Sequence, residues 1–119
     1  MKLATLHNDT RDGALLVVSH DLSHAVKPYE ISAHLPRTAQ ALMDRWSEYQ
    51  SELDAMYAQL NRGELLSAFA VDPKQLHSLL PRAYAWIDGS AYINHIVLVR
   101  KARGAEPPAT LKTDPLVYQ

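Results

Sequence analysis

The hydrophobic pattern of the N-terminal part predicts a series of short strands. Residues 2–7 alternate loosely between apolar and polar side chains, and residues 14–19 form an apolar, β-branched run typical of a buried strand. Turn-forming residues separate the two runs and end in Asp12-Gly13, a hairpin signal. A third short strand is predicted over residues 23–26. Together the three strands predict a small antiparallel meander.

The hydrophobic period changes after residue 36, and residues 37–61 predict one long amphipathic helix. Its apolar and aromatic residues recur at alternating steps of three and four. They are Ala39, Leu42, Trp46, Tyr49, Leu53, Met56 and Leu60. Thr38 is placed to cap this helix and Gly63 to end it. The stripe is typical of a helix packed on a small sheet, and a coiled coil is the alternative.

The next segment, residues 65–81, carries an apolar run and a helix-start signal. Residues 65–71 are apolar and are expected to be buried. Asp72 followed by Pro73 predicts the start of a helix, with an N-cap residue and proline in the first turn. This helix is expected to be short, because a residue that precedes proline, here Pro81, is disfavoured in the α conformation.

A last helix is predicted from Ser90, as its N-cap, to Gly104. Three basic residues in its last turn oppose the helix dipole, namely Arg100, Lys101 and Arg103. Several β-branched residues in this segment would also allow a strand. Residues 113–119 are typical of the approach to a further strand.

Composition and charge exclude several classes of function. The chain has 119 residues, the length of one domain or of a piece of something larger. Its net charge of −1 gives no basic face for nucleic acid or for an anionic membrane. It has no cysteine, which excludes disulfides, thiolate metal sites and a cysteine nucleophile. The N-terminus lacks the apolar run of a signal peptide, so a cytoplasmic location is expected.

Two residues whose side chains could bind a metal or transfer a proton, Asp88 and His95, lie seven positions apart. Asp88 is a hard oxygen donor that suits Mg²⁺ or Ca²⁺, and His95 can transfer protons near neutral pH. If a helix starts at Ser90, His95 shares a face with Val99 as well as with Ala91 and Tyr92. The alternative is structural: Asp88 as a turn or cap residue, and His95 as a hydrogen-bonded histidine. One carboxylate and one imidazole do not make a metal site by themselves.

Other candidate motifs are weaker. His20 and His24 have the spacing of a zinc pair, but they are flanked by strand and loop instead of lying on one helical face. The remaining histidines, His7, His34 and His77, have no companion at a useful spacing and are expected to be surface or structural residues. The four glycines form neither a phosphate-binding loop nor a dinucleotide fingerprint, and no Gly-x-Ser-x-Gly nucleophile motif occurs.

The segment that contains both residues reads Tyr84-Ala-Trp-Ile-Asp-Gly-Ser-Ala-Tyr-Ile-Asn-His-Ile-Val-Leu-Val-Arg-Lys-Ala-Arg-Gly104. It resembles the fumarylacetoacetate hydrolase family in its bacterial branch. The opening residues 1–6 and 10–13, and the segments 81–84 and 113–118, resemble the same family. The resemblance therefore covers essentially the whole chain.

The resemblance implies an α+β fold in two parts. Residues 1–80 would form the N-terminal domain, with a small antiparallel sheet packed on an amphipathic helix. Residues 81–119 would be the start of a truncated, mixed-β catalytic domain. In the family, the residue corresponding to Asp88 is a ligand of Mg²⁺ or Ca²⁺, and the one corresponding to His95 is the general base. The family's other ligands, a Glu-x-Glu pair and a further Asp, come later than residue 119.

The implied reaction is hydrolytic cleavage of a carbon–carbon bond in an acylpyruvate or β-diketo acid, as in aromatic amino acid catabolism. Ser90 and Tyr92 are the candidate substrate-binding residues. Isomerases and decarboxylases of related acids occur in the same family, so the reaction class stays open. As a fragment, the chain is expected to be inactive. The alternative is a stand-alone interaction module that forms a homodimer through the helix at 39–60 or through an open sheet edge.

Overall fold

The computed structural model describes residues 1–114 and 116–118, apart from the side chains of Ser90 and Tyr118. Its residues group into two units, Met1–Ala83 and Tyr84–Gln119. The first unit ends shortly after the predicted domain boundary at residue 80. Within the described residues, every helix is too short or too polar to span a bilayer.

A five-stranded antiparallel sheet organises the first unit. The predicted meander is confirmed as β1 (Lys2–Leu6), β2 (Ala14–Val18) and β3 (His24–Val26). Two strands of two residues each complete the sheet at its edges, β4 (Phe69–Ala70) and β5 (Leu76–His77). The strand order is β4-β3-β2-β1-β5. The sequence did not predict either edge strand, because two residues carry no readable period.

The register of the central pair places Leu6 opposite Ala14. The chain crosses between these two strands over residues 7–13. Gly13 closes this turn with φ of 65°, a conformation that favours glycine. A side chain at this position would meet the Thr5 methyl carbon at 2.4 Å and the Leu6 carbonyl oxygen at 2.7 Å. The hairpin signal is therefore confirmed, and its glycine is required by both conformation and space.

The helices of the first unit are α1 (Pro28–Ile31), α2 (Ala39–Asp44) and α3 (Trp46–Asn61). The single helix predicted over 37–61 is wrong in one respect, because it breaks at Arg45, whose φ and ψ are −137° and 38°. A straight helix over the two segments would be about 34 Å long, whereas a five-residue strand spans about 17 Å. Because the helix breaks at Arg45, the apolar residues of both α2 and α3 can pack on this small sheet.

The predicted helix ends are confirmed. The Thr38 hydroxyl accepts a hydrogen bond from the Ala41 backbone N–H at 3.2 Å, which caps α2. At the other end, Gly63 has φ of 72° and its N–H bonds the Leu60 carbonyl at 3.1 Å. The Glu64 N–H bonds the Gln59 carbonyl at 3.1 Å, which completes the Schellman pattern of a glycine-terminated helix.

The core lies between the sheet and α3, which confirms the α+β prediction. Every residue of β2 is buried, because both faces of this strand are covered by other residues. On one face, strand residues join the buried residues of α2 and α3. This cluster contains Leu15, Val17, Val26, Leu35, Ala39, Leu42, Leu53, Met56 and Leu60. The opposite face forms a smaller cluster of Leu16, Val18 and Ala25. The predicted helical stripe is therefore core, and the coiled-coil alternative is not adopted.

Two predictions for residues 65–77 are corrected. The run 65–71 is not uniformly buried, since Leu66 is fully exposed and Phe69 is half-buried in the edge strand β4. The helix predicted after Asp72 is a single 3₁₀ turn, Pro73–Gln75, and the chain then enters β5. The Asp72 side chain does cap that turn, accepting from the Lys74 N–H at 3.0 Å. Pairing with β1 ends the turn, and local signals do not report such pairing.

The turn between β2 and β3 is built on Asp21. Its carboxylate accepts from the Ser19 hydroxyl at 2.6 Å and from the Ser23 hydroxyl at 2.7 Å. These hydrogen bonds, that of Ser19 foremost, hold the pKa of Asp21 well below its usual value of 3.8. The charged carboxylate is therefore the form that the fold stabilises.

We expect Gly13→Ala to destabilise the first unit by about 2–4 kcal/mol, combining left-handed strain with steric overlap. Gly63→Ala is the matched control, because Gly63 has the same backbone conformation with no atom within 4 Å of the added carbon. It should cost only about 1 kcal/mol. Urea denaturation of the two variants measures the difference. An equal loss of unfolding free energy in both variants would show that steric overlap at Gly13 contributes nothing.

We expect Asp21→Asn to flatten the acid dependence of stability. A lowered carboxyl pKa contributes stability above the unfolded value of about 3.8, and this contribution is lost as the pH falls below it. The asparagine variant should be less stable than wild type at pH about 7 but should lose less stability between pH about 4 and 2. Denaturation midpoints across this range measure the slopes. Parallel slopes would contradict the role given to this carboxylate.

Candidate active site

The second unit pairs two short strands with one helix. β6 (Asp88–Ser90) is antiparallel to β7 (Leu116–Tyr118), with Asp88 opposite Tyr118. The helix α4 runs over Ile93–Ala102. The strand predicted after residue 113 is therefore present at 116–118, while Pro115 and Gln119 lie outside the described residues.

The start of α4 differs from the prediction. Ser90 was the predicted N-cap, but it lies in β6, and Tyr92 occupies the N-cap position without a capping side chain. The cause is the pairing of Ser90 with Leu116, a partner distant in the sequence. At the other end Gly104 terminates the helix as predicted, with φ of 66°. The N–H of Gly104 bonds the Lys101 carbonyl at 3.0 Å.

Asp88 and His95 line the same cavity, which has a volume of about 230 Å³. β6 supplies the carboxylate, and the first turns of α4 supply the imidazole. The other lining residues are Ile96, Val99, Arg100, Arg103 and Leu116. His95 and Arg103 lie eight residues apart with Val99 between them, so they share one helix face. The structure thus brings together the two residues that the sequence singled out.

The two proposed substrate-binding residues are placed differently. Tyr92 precedes the helix, is 75% exposed and does not line this cavity. Ala91 also precedes the helix. Of the residues predicted to share a helix face with His95, Val99 does so, whereas Ala91 and Tyr92 do not lie on the helix. The Ser90 backbone lies in β6, and its side chain lies outside the described part of the chain.

Two arginines, Arg100 and Arg103, line the cavity, whereas the sequence indicated only that their charges oppose the helix dipole. Their spacing contained the missing signal: Arg103 follows His95 by eight residues, and Arg100 follows Ile96 by four. A cation near the C-terminus of a helix is favoured by the dipole on any face of the helix, so their charge alone does not indicate a cavity. Their guanidinium groups make the cavity suited to a carboxylate.

The donor set of this cavity does not fit a divalent cation by itself. A hard cation takes six or more oxygen ligands, and Asp88 is the single carboxylate that lines the cavity. The two guanidinium groups oppose a second positive charge. Among residues 1–114 and 116–118, no three histidine, aspartate or glutamate side chains converge in a metal-binding group. This includes His20, which lies in the turn before β3, and His24, which is the first residue of β3.

Among protein families, residues 1–82 match the one described as Fumarylacetoacetase N-terminal domain 2. The matched residues form most of the chain and correspond to the first unit, whereas Asp88 and His95 lie after them. A comparison with curated proteins found no match.

We expect this chain to bind Mg²⁺ no more tightly than a dissociation constant of about 1 mM, because one carboxylate beside two guanidinium groups is a poor site. Calorimetric titration of the 119-residue chain measures the affinity. Asp88→Ala should leave the weak binding unchanged. Micromolar binding that disappears in Asp88→Ala would contradict the expectation.

Proposed function

The chain belongs to the fumarylacetoacetase family through its N-terminal domain, and from this premise we propose that it is the N-terminal part of an enzyme that hydrolyses a carbon–carbon bond. The proposed substrate is an acylpyruvate or β-diketo acid. The observation that supports this proposal is the cavity that Asp88 and His95 share with Arg100 and Arg103. It combines a carboxylate, a proton acceptor and two cations that suit an anionic acid.

In this proposal His95 is the general base. An imidazole can accept a proton from water near neutral pH and pass it on to a leaving carbanion. His95 lies on the exposed side of α4, so water can reach it. His95 also lines the cavity, so its imidazole is beside the space in which the substrate would bind.

Arg100 and Arg103 would hold the carboxylate of the substrate. A planar guanidinium can donate two parallel hydrogen bonds to a carboxylate, which fixes orientation as well as position. Because Arg100 lies on the same helix as His95 and Arg103 is the C-cap residue of that helix, the bound carboxylate would lie at a set distance from the base. A neutral ester or amide would lack this anchor, so an acid is the favoured substrate class.

Asp88 would be one ligand of Mg²⁺ or Ca²⁺ in the assembled enzyme. The remaining oxygen ligands then have to come from residues outside this unit, since the described cavity holds a single carboxylate. The proposal therefore assigns a complete active site to a larger assembly. The 119 residues by themselves are proposed to be inactive.

A second candidate function is a non-catalytic interaction module, and exposed apolar residues favour it. Tyr84, Trp86, Ile87 and Leu98 are each more than half exposed, whereas Ile96 is the buried apolar residue of this unit among those described. The stripe of α3 is already used in the core of the first unit, so these residues are the better homodimer surface. Sedimentation across a concentration series would detect such a dimer.

The test of the enzyme proposal compares variants of one helix in the complete gene product that carries this sequence. His95→Gln should lower kcat for acetylpyruvate hydrolysis by about 10²–10⁴-fold, the usual contribution of a general base. Arg103→Ala should raise KM about tenfold or more, because a charge-assisted hydrogen bond is lost. Lys101→Ala is the matched control and should change neither, since Lys101 does not line the cavity.

Product analysis separates the reaction classes. Pyruvate together with a second carboxylic acid indicates hydrolysis, whereas carbon dioxide or an isomeric acid indicates a decarboxylase or an isomerase. Full activity in His95→Gln would overturn the role of this histidine. Loss of activity in Lys101→Ala equal to that in Arg103→Ala would overturn the anchoring role of the arginine.

A further inference from the structure

Three side chains of the first unit form a hydrogen-bonded line at its surface. The Ser32 hydroxyl oxygen lies 3.0 Å from Nδ1 of His34. Nε2 of His34 lies 2.8 Å from a carboxylate oxygen of Glu52. Ser32 and His34 belong to the loop between α1 and α2, and Glu52 belongs to α3. The order hydroxyl, imidazole, carboxylate is that of an activated nucleophile.

The carboxylate decides which ring nitrogen of His34 carries the proton. An ionised carboxylate only accepts hydrogen bonds, so Nε2 must be the donor toward Glu52. In the neutral ring Nδ1 then holds a lone pair, and its partner at 3.0 Å is the Ser32 hydroxyl. In this neutral form of His34 the Ser32 hydroxyl is the donor and Nδ1 is the acceptor. The ring is turned over relative to the usual serine triad, and the roles of the three groups are the same.

The backbone fixes the position of the hydroxyl. The Ser32 N–H bonds the Pro28 carbonyl at 2.9 Å, and the Ser32 carbonyl accepts from the Leu35 N–H at 3.0 Å. Leu35 and Pro28 are both buried, so the loop is anchored on the core at each side of Ser32. The side chains of His34 and Glu52 are 62% and 41% exposed, so a small molecule can reach them.

A second serine–histidine contact in the same unit shows the opposite arrangement. Ser23 lies 2.7 Å from Nδ1 of His24, but its hydroxyl also donates to the Asp21 carboxylate at 2.7 Å. There the hydroxyl donates its hydrogen bond to the carboxylate, so it has no hydrogen left to donate to the imidazole. A hydroxyl that lies between the carboxylate and the imidazole is not activated, which makes Ser23 a matched internal control.

We propose that Ser32, His34 and Glu52 form an acyl-accepting triad for small activated esters, separate from the cavity of Asp88 and His95. The Ser32 oxygen bonds to the ester carbonyl carbon while its proton moves to Nδ1 of His34. Glu52 stabilises the resulting imidazolium through Nε2. The carbon–oxygen bond to the leaving group then breaks, and the proton on Nδ1 passes to the departing oxygen. Water repeats the sequence on the acyl-serine and releases the carboxylic acid.

The substrate class follows from the open setting of the three groups. A surface site excludes little water and makes few contacts with a substrate, so it stabilises a transition state only weakly. The substrate therefore has to be an ester with a good leaving group. Aryl esters of short acids meet this requirement, and p-nitrophenyl acetate is the probe. A fluorophosphonate, which traps activated serines covalently, is the second probe.

The experiment treats the folded chain with each probe and locates the adduct by peptide mass spectrometry. We expect the adduct on Ser32, and we expect Ser32→Ala to abolish it. Glu52→Gln should slow its formation about tenfold or more, because the imidazolium loses its charged partner. Ser23→Ala should react at the wild-type rate. Asp88→Ala should also leave the rate unchanged, which separates this activity from the proposed hydrolase.

Three results would overturn the proposal. One is an adduct on Ser23 in place of Ser32, and another is the same rate of labelling in Glu52→Gln as in wild type. The third is labelling of Ser32 that persists in concentrated urea, which would show ordinary hydroxyl reactivity. Circular dichroism of each variant confirms that a lost adduct does not come from a lost fold.

Discussion

The two-sided burial of β2 is the constraint on which the first unit depends. Leu15 and Val17 pack against α3, while Leu16 and Val18 pack on the opposite face of the sheet. A strand buried on both faces cannot slip by one residue without exchanging its two sets of contacts. The five residues of β2 therefore determine its pairing with β1, the position of the turn at Gly13 and the face on which α3 packs.

The end of the first unit is tied to the strand next to β2. The Thr5 side chain is fully buried, and its hydroxyl donates to the Leu79 carbonyl at 2.6 Å. Arg82 binds Asp12 through two hydrogen bonds, from Nε at 2.7 Å and from Nη2 at 2.5 Å. These contacts order residues 79–82 without any regular structure. The family match also ends at residue 82, so the matched residues coincide with a unit that has its own core.

Several features of the candidate site were predictable because they depend on neighbours in the sequence. The helix through His95 was indicated by its basic last turn and by Gly104 just after its C-cap, which are signals local to one element. The shared cavity of Asp88 and His95 was suggested by their spacing and is present in the structure. For Arg100 and Arg103 the sequence indicated only a favourable position relative to the helix dipole, which does not specify the face of the helix that lines a cavity. The roles of Asp88 and His95 in catalysis remain predictions.

Alone, the sequence determined the meander, the apolar stripe of α3, the cap at Thr38 and the glycine stops, because each is a local preference of a few adjacent residues. Only the tertiary structure decided the break at Arg45, the two-residue strands β4 and β5, and the placement of Ser90 in a strand. Each of these depends on a partner far along the chain, or on the size of the sheet that a helix must cover. The contact between His34 and Glu52 is of the same kind. Eighteen positions separate the two residues, no periodicity connects them, and the fold places their side chains 2.8 Å apart.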